Sequence, residues 1–312
     1  MTVRTFDWRD LAALLRYRQS GVFLDSALVL TRGALLVPGA LLSYLAPAMG
    51  VVTCVANESD SGSETLIGQY IHPSGSQFAH LTFLAPEQGL ESLAVTRLLE
   101  YLSQSAGERG ALRLLADVDE HSQAFEALRQ TSFAIFARQR IWQLSPQPGA
   151  VIHNNPWRVA NGQDALAIRL LYNNLVPGLV QQVEPFESQH PRGLMYYQDG
   201  ELQAYVDLRY GRCGIWAQPF FHPEVEDVPA RLADLYQIIP DRFARPLYFC
   251  VRSYQAWLEP AIEELGAEAG PRQAVMVRTL TVQHKALRPL TLPALEGGQP
   301  EISAPIARSE SK

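Results

Sequence analysis

The chain has 312 residues, long for one domain and natural for two of about 150. Its 47% hydrophobic and 19% charged residues match globular protein with a sizeable core and exclude a disordered or fibrous chain. A net charge of −6, with lysine nearly absent before the C-terminal tail, leaves no basic stripe and so no nucleic-acid partner is expected. Cys54, Cys213 and Cys250 are odd in number and widely spaced. That spacing implies neither a zinc pair nor a disulfide framework, so each reads as a small core hydrophobe in a reducing cytoplasm.

The N-terminus lacks the basic start and apolar run of a signal peptide. A short strand opens the chain at residues 3–6, and Asp7 reads as an N-cap with Asp10 three residues on, a capping box. Leu11, Leu14 and Leu15 follow at helical spacing, and Arg18 closes that stripe. In "YRQSGVFLDSALVLTRG" basic residues precede an apolar run, which reads as a solvated helix end. Residues 34–56 carry no charge and could span a bilayer by length. Pro38, Gly39, Pro47, Gly50 and the β-branched run "VVTCV" favour instead a buried helix followed by a core strand, and no membrane partner is expected.

Three strand-like runs follow, "GVVTCVA", "TLIGQYIHP" and "FAHLTFLAP", with turn-rich loops between them. A helix then carries Val95, Leu98, Leu99, Leu102 and Ala106 on one face. "ALRLLADV" is a buried strand, "SQAFEALRQ" a helix and "FAIFARQRIWQL" a long strand. Residues 147–156 form a linker, and the element order then recurs. "WRVA" is a strand and "QDALAIRLLYNNL" a helix. Three strands turn at Asp199-Gly200, a strong hairpin signal, and at Gly211-Arg212. A helix carries Leu232, Leu235, Tyr236 and Ile239, and "RPLYFCVRS", "YQAWLEPAIEELG" and "QAVMVRTLTV" read as strand, helix and closing strand. Both halves follow β-α-α-β-β-β-α-β-α-β, an internal structural repeat. The expected organisation is a domain at 1–146, a linker at 147–156, a second domain at 157–284, and a polar, proline-rich tail at 285–312 that is disordered by composition.

Residues 80–102, "HLTFLAPEQGLESLAVTRLLEYL", form a strand, a loop and a helix. This stretch and the element order resemble the GNAT superfamily of acyl-CoA-dependent N-acyltransferases, and the chain is similar to a tandem pair of such domains. The resemblance implies an α/β fold in which each domain is a mixed, mostly antiparallel sheet flanked by helices. In that family a strand ends in proline, and an Arg/Gln-x-x-Gly-x-Gly/Ala loop enters a helix whose free N–H groups hold the coenzyme pyrophosphate. Here Pro86 matches the proline, Gly89 takes the Arg/Gln position, and Ser92 and Ala94 take the glycines. The small residues survive and the basic one is gone. Glu87 and Glu91 lie close by; a like-charge contact at about 4 Å costs about 1 kcal/mol in water and about 4 kcal/mol at an effective dielectric of 20.

The resemblance implies acetyl-CoA as cosubstrate. Its arm would lie along the main chain of Phe83, Leu84 and Ala85, and its pyrophosphate at Gly89, Leu90, Ser92, Leu93 and Ala94. It further implies a small-molecule or peptide amine acceptor and no metal. In the second half Pro223 matches the loop proline, while Glu226, Pro229 and Arg231 take the three motif positions. Pro229 suits a first helical turn but removes an N–H donor, so that half is not expected to hold the coenzyme. The family's tyrosine acid falls on Leu128 in the first half and Ile262 in the second. Its flanking residues fall on His121, Ala124, Ser132 and Phe133.

His80, on one face of its strand with Thr82 and Leu84, is the candidate base for an amine, against a hydrogen-bonded structural role. Asp117, Asp119, Glu120 and His121 end a strand, where α/β ligand crevices open; the favoured reading is solvated acids and a helix cap, and no second His lies at metal-ligand spacing. His222 holds a place comparable to His80 beside the altered second loop. Tyr196, Tyr197, Tyr205, Tyr210 and Trp216 read as sheet core, with an aromatic ligand groove between the halves as the sharper alternative. Two functions stay open: an N-acyltransferase, and a non-catalytic module of the same fold that binds a ligand or partner.

Overall fold

A computed structural model describes residues 2–17, 19–34, 39–41, 49–57, 65–146, 155–186, 191–240 and 244–280. Arg18, most of the linker, much of the uncharged stretch at 34–56 and the tail at 285–312 lie outside the described residues. Among the described residues no helix is long and apolar enough to cross a membrane.

The first half runs β1 (Thr2–Thr5), α1 (Leu11–Tyr17), β2 (Val22–Phe23), α2 (Ser26–Arg32), β3 (Val51–Asn57), β4 (Leu66–Ile71), β5 (Phe78–Ala85), α3 (Leu93–Glu108), β6 (Arg113–Asp119), α4 (Gln123–Gln130) and β7 (Ala134–Leu144). The second runs β8 (Trp157–Val159), α5 (Ala165–Leu175), α6 (Gly178–Val183), β9 (Gly193–Gln198), β10 (Glu201–Tyr210), β11 (Ile215–Phe221), α7 (Val228–Ile238), β12 (Leu247–Arg252), α8 (Glu259–Glu264) and β13 (Glu268–Thr279). This is a mixed α/β fold with a largely antiparallel sheet. Among the described residues only β5 with β6 and β11 with β12 pair in parallel.

Local chemistry repeats between the halves. Asp7 and Asp10 form a reciprocal capping box on the short 3-10 turn Trp8–Asp10, as Asn161 and Asp164 do on Gly162–Asp164. In each case the second acid also holds an arginine of the preceding strand. Arg4 meets both oxygens of Asp10 at 2.7 Å, and Arg158 meets those of Asp164 at 2.7 and 3.1 Å. The arginine fork matches a carboxylate's geometry, so each strand is locked to the helix that follows it. The Asp199-Gly200 turn has both residues at positive φ (53° and 84°), the geometry that makes a two-residue hairpin twist with its strands.

The sheet order is β1-β3-β4-β5-β6-β13-β7-β12-β11-β10-β9-β8, with β2 on β5. The chain's last strand, β13, therefore lies between β6 and β7 of the first half, and β7 lies between β13 and β12 of the second. The cores are exchanged in the same way. Ala274 and Met276 of β13 pack with Leu81, Leu98, Leu102 and Leu114, while Trp142 and Leu144 of β7 pack with Leu232, Leu235, Phe249 and Ile262. On the opposite face α5 and α6 bring Ile168, Tyr172 and Val180 onto Leu115, Phe136 and Val275.

Several expectations are corrected. Leu15 is 45% exposed, and Leu14 alone of its stripe is fully buried. The closing strand starts earlier than the pattern suggests, at Glu268. The expected helix at 254–266 begins as a 3-10 segment, Ser253–Leu258, with Gln255 off helical geometry. Cys54 and Cys250 are buried, and burial pushes both thiols up to about 12; Cys213 is exposed instead.

Candidate functional site

β5 and β6 pair only at residues 78–80 with 113–115 and then diverge. A bulge sits where they part: Tyr70 faces Leu81 and Gln69 faces Phe83, leaving Thr82 unmatched. An extra residue reverses the side-chain alternation beyond it. Leu84 thus joins Ala79 and Leu81 in the core under α3, while Phe83 packs with Leu14 under α1. The expected shared face of His80, Thr82 and Leu84 is broken at this point.

The wedge between the two strands is filled by the chain itself. Glu87 N–H donates to Ser20 O (2.8 Å), and Val22 and Phe23 pair antiparallel with Leu84 and Phe83. Leu24 N–H donates to Thr82 O (3.0 Å), and Asp117 N–H donates to Leu24 O (2.8 Å), so residue 24 bridges both strands. Leu24 is buried in the core, and the rings of Phe23 and Phe83 lie 5.0 Å apart. Gly21 makes the approach possible, since a Cβ there would stand 2.2 Å from the Phe83 ring. The outward main-chain groups of Phe83 and Leu84, which the resemblance assigns to a coenzyme arm, are engaged by β2.

The second half closes its matching wedge differently. β11 and β12 pair at residues 215–217 with 247–249. Beyond them Gln255, 2% exposed, accepts from Phe221 N–H (2.9 Å) and donates to Phe221 O (3.3 Å). One side-chain amide therefore satisfies both main-chain groups of the buried residue.

The two helix N-termini also differ. Ser92 is the N-cap of α3, yet its hydroxyl donates to Gly89 O (2.7 Å) and no side chain caps the helix. Glu87 and Glu91 are exposed and do not cap it. Ala94 and Leu90 are buried, Gly89 is half-buried and Leu93 is 85% exposed. At α7 the Asp227 carboxylate accepts from Ala230 N–H (3.3 Å), and Pro229 sits in the first turn. That terminus already holds an anion. Leu128 and Ile262, at the family's tyrosine positions, are fully buried core residues.

A cavity of about 350 Å³ lies beside the first wedge, between α2 and the α5–α6 region. His80 lines it, half-buried and without a hydrogen-bond partner among the described residues. Asp117 lines it too, and here the reading as a solvated acid is corrected. Its Oδ2 accepts from Ser26 N–H (3.2 Å). Burial, then the nearby charge of Asp25, raises its pKa to about 6, against the field of Arg252. Asp119 and Glu120 do behave as turn and surface acids: Asp119 accepts from His121 N–H and Glu120 pairs with Arg138. Sequence reasoning missed the second half's contribution. Buried Arg252 pairs with Glu184 (2.9 and 3.2 Å) and Arg209 with Asp207 (3.2 Å), all four lining the cavity. Trp216 lines it as well, while Tyr196 packs into the core on the other side of the sheet.

No family model and no curated protein matches the sequence. Among solved structures, a GCN5-related N-acetyltransferase from Sphaerobacter thermophilus superposes with a TM-score of 0.52 at 11% identity, over 89% of this chain and 95% of that one. A tandem GNAT protein from the clavulanic acid biosynthesis pathway gives 0.49 at 14% identity, over 89% and 98%. An acetyltransferase of the GNAT family from Colwellia psychrerythraea gives 0.43 at 13% identity, over 89% and 100%. The first likeness shows the fold: this chain has the GNAT acetyltransferase fold.

Proposed function

We propose that this GNAT-fold chain is a cytoplasmic binding protein that does not transfer acyl groups, and that the cavity beside Asp117 is its ligand site. Its domains are the halves 1–146 and 157–284, joined by 147–156, with the ligand held where they meet. The observation that carries the reading is the segment 20–24 in the wedge between β5 and β6. An acyl-CoA arm seeking the main chain of Phe83, Leu84 and Ala85 must first expel it. That breaks the bonds of Ser20 and Leu24 and the β2 pairing, at about 1 kcal/mol per hydrogen bond, and exposes Leu24, at about 2 kcal/mol. The total, roughly 6 kcal/mol, weakens a ligand by more than ten-thousandfold at 1.4 kcal/mol per decade.

One observation favours a second reading, acetyl-CoA-dependent N-acyl transfer: the N-terminus of α3 carries no side-chain cap. In this reading segment 20–24 withdraws. The arm takes the main chain of residues 83–85, and Gly89, Leu90, Ser92, Leu93 and Ala94 hold the pyrophosphate. A small-molecule or peptide amine enters the cavity, where His80 accepts its proton.

Calorimetric titration with acetyl-CoA and with free coenzyme A separates the two. The binding-protein reading expects no heat at millimolar ligand. Micromolar binding that Ala94→Glu abolishes would overturn it and show that the α3 junction holds an anion. A screen of amine acceptors for acetyl transfer would then test the acyltransferase reading.

A further inference from the structure

A second, larger cavity of about 1170 Å³ lies in the second half of the sheet, lined by residues 207–210 of β10. These residues pair with β11 where β11 is itself paired with β12. The cavity therefore sits at the closed end of that strand pair, away from the wedge that Gln255 fills. Four arginines line it, Arg32, Arg192, Arg209 and Arg245, with Asp207 as the one carboxylate among the described residues. The chain as a whole carries −6, so the cavity inverts the sign of the protein around it. The four come from separate places: the last residue of α2, the residue before β9, β10 itself, and a position two before β12. No single solvated helix or strand face accounts for them.

Their main chain is fixed. Leu208 N–H donates to Arg192 O (2.9 Å), and Cys213 N–H donates to Thr31 O (2.8 Å). Gly193 and Gly211 permit these close approaches, since a Cβ would stand 2.0 Å from Val206 O at the first and 2.1 Å from Thr31 O at the second. Arg245 Nη1 donates to Gly211 O and is tied to the same turn. Asp207 engages Arg209 at Nε (3.2 Å). Arg32 and Arg192 are exposed, and their guanidinium groups have no partner among the described residues. Arg32 also meets the negative end of α2, whereas Arg192 ends no helix.

We propose that this cavity binds an organic diphosphate, with Arg32 and Arg192 as its principal phosphate ligands and Arg209 and Arg245 beside them. A guanidinium keeps its charge at any physiological pH and offers phosphate oxygens a planar fork of donors. Four guanidinium groups against one carboxylate leave a surplus of three among the described lining residues. A terminal phosphate carries about −1.5 to −2 at neutral pH, and the inner phosphate of a diphosphate adds a further charge, which matches that surplus; a single carboxylate would leave most of it unanswered. Concave walls concentrate the field of such a cluster. The volume exceeds the range of about 300–1,000 Å³ usual for ligand pockets, so there is room for an organic group beside the phosphates. Val159, 69% exposed, and Ile238 and Pro240 supply apolar surface for it. The site does not depend on how the cavity beside Asp117 is used, and the two share only Asp207 and Arg209.

The test is calorimetric titration of the full chain with two diphosphates of different organic group, ADP and geranyl diphosphate, and with their uncharged counterparts adenosine and geraniol. At least one diphosphate is expected to bind at micromolar concentration and at least tenfold more tightly than its counterpart; the tighter of the two tells a nucleotide from an apolar alcohol as the organic group. Arg32→Ala and Arg192→Ala are each expected to weaken it at least tenfold. Arg129→Ala removes the same charge from an exposed position on α4 and is expected to change it less than twofold. All three side chains are at the surface, and a thermal melt verifies that the variants fold. No heat from either diphosphate at millimolar concentration, an uncharged counterpart that binds as tightly, or equal losses in all three variants would each overturn the inference. Coenzyme A is itself a diphosphate, so acetyl-CoA is titrated into the same variants. Heat lost in Arg192→Ala and kept in Ala94→Glu belongs to this cavity and supports the inference. Heat lost in Ala94→Glu and kept in Arg192→Ala belongs to α3; it overturns the binding-protein reading and the claim that acetyl-CoA reaches this cavity, while ADP and geranyl diphosphate still decide the inference.

Discussion

Replacing Asp117 with asparagine should make the protein more stable and its ligand site worse. The carboxylate's pKa rises from the usual 3.8 to about 6, chiefly through burial and then through the charge of Asp25. About two units at 1.36 kcal/mol each is roughly 3 kcal/mol. The sign follows from proton counting. Between about pH 4 and pH 6 the folded chain keeps a proton on Asp117 that the unfolded chain has released, so stability falls as pH rises through that window. Below it the carboxyl is neutral in both states, and above it the full cost is present. Asparagine never ionises. Asp117→Asn should therefore match the wild type near pH 4 and exceed it at pH 7.5 by up to roughly 3 kcal/mol, less whatever the new amide group loses by burial. Urea unfolding of both proteins at pH 4, 5, 6 and 7.5 measures the difference, in which the groups that do not interact with Asp117 cancel. A variant less stable than wild type at pH 7.5, or a gap that does not change with pH, would refute the assignment of an uncompensated charge.

Three further outcomes are expected. Ser132 is exposed at φ 65°, in a left-handed conformation that costs an L-residue about 1 kcal/mol; Ser132→Gly should raise stability by about that amount and shift the thermal midpoint upward. Gln255→Leu leaves Phe221 N–H and C=O without their partner in a buried wedge and should cost roughly 3 kcal/mol; a loss below about 1 kcal/mol would mean that water reaches the wedge. Because β13 is seated between β6 and β7, the two halves should unfold in a single transition seen alike by circular dichroism and tryptophan fluorescence, and residues 1–146 expressed alone should not fold.

Much of the fold is written in local pattern. The stripe from Val95 to Ala106 is the buried face of α3, and Asp199-Gly200 is the hairpin it advertises. The paired Arg4/Asp10 and Arg158/Asp164 locks were legible as an arginine six residues before an acid at the start of each half, a signal the element-level reading passed over. Strand exchange left no such trace, because β13 has the same alternation whichever neighbours it takes. β2 is two residues long, and Val22 and Phe23 read only as part of an apolar run after a solvated helix end, because the groups they satisfy lie on Leu84 and Phe83, some sixty positions away. Asp117 reads as a surface acid from its polar neighbours. Its burial comes from the cover supplied by residues near Tyr172 and Glu184 of the other half, which no local window contains.

The two halves also weigh differently on function, and burial decides how. A sheet that splits leaves main-chain N–H and C=O groups facing each other in the interior, and these must find partners. In an acyl-CoA enzyme the ligand's amides can serve. Here residues 20–24 serve in one half and the Gln255 side chain in the other, two unrelated devices meeting the same need. The uncapped terminus of α3 makes no such demand. Ser92 and Leu93 are exposed, so water satisfies the free N–H groups at little cost. An open terminus at the surface is compatible with an anion or with none, whereas a filled interior wedge is compatible with an acyl-CoA arm only after the filler leaves. The heavier observation thus lies in the wedges, and it directs the search for a ligand to the charged cavity beside them.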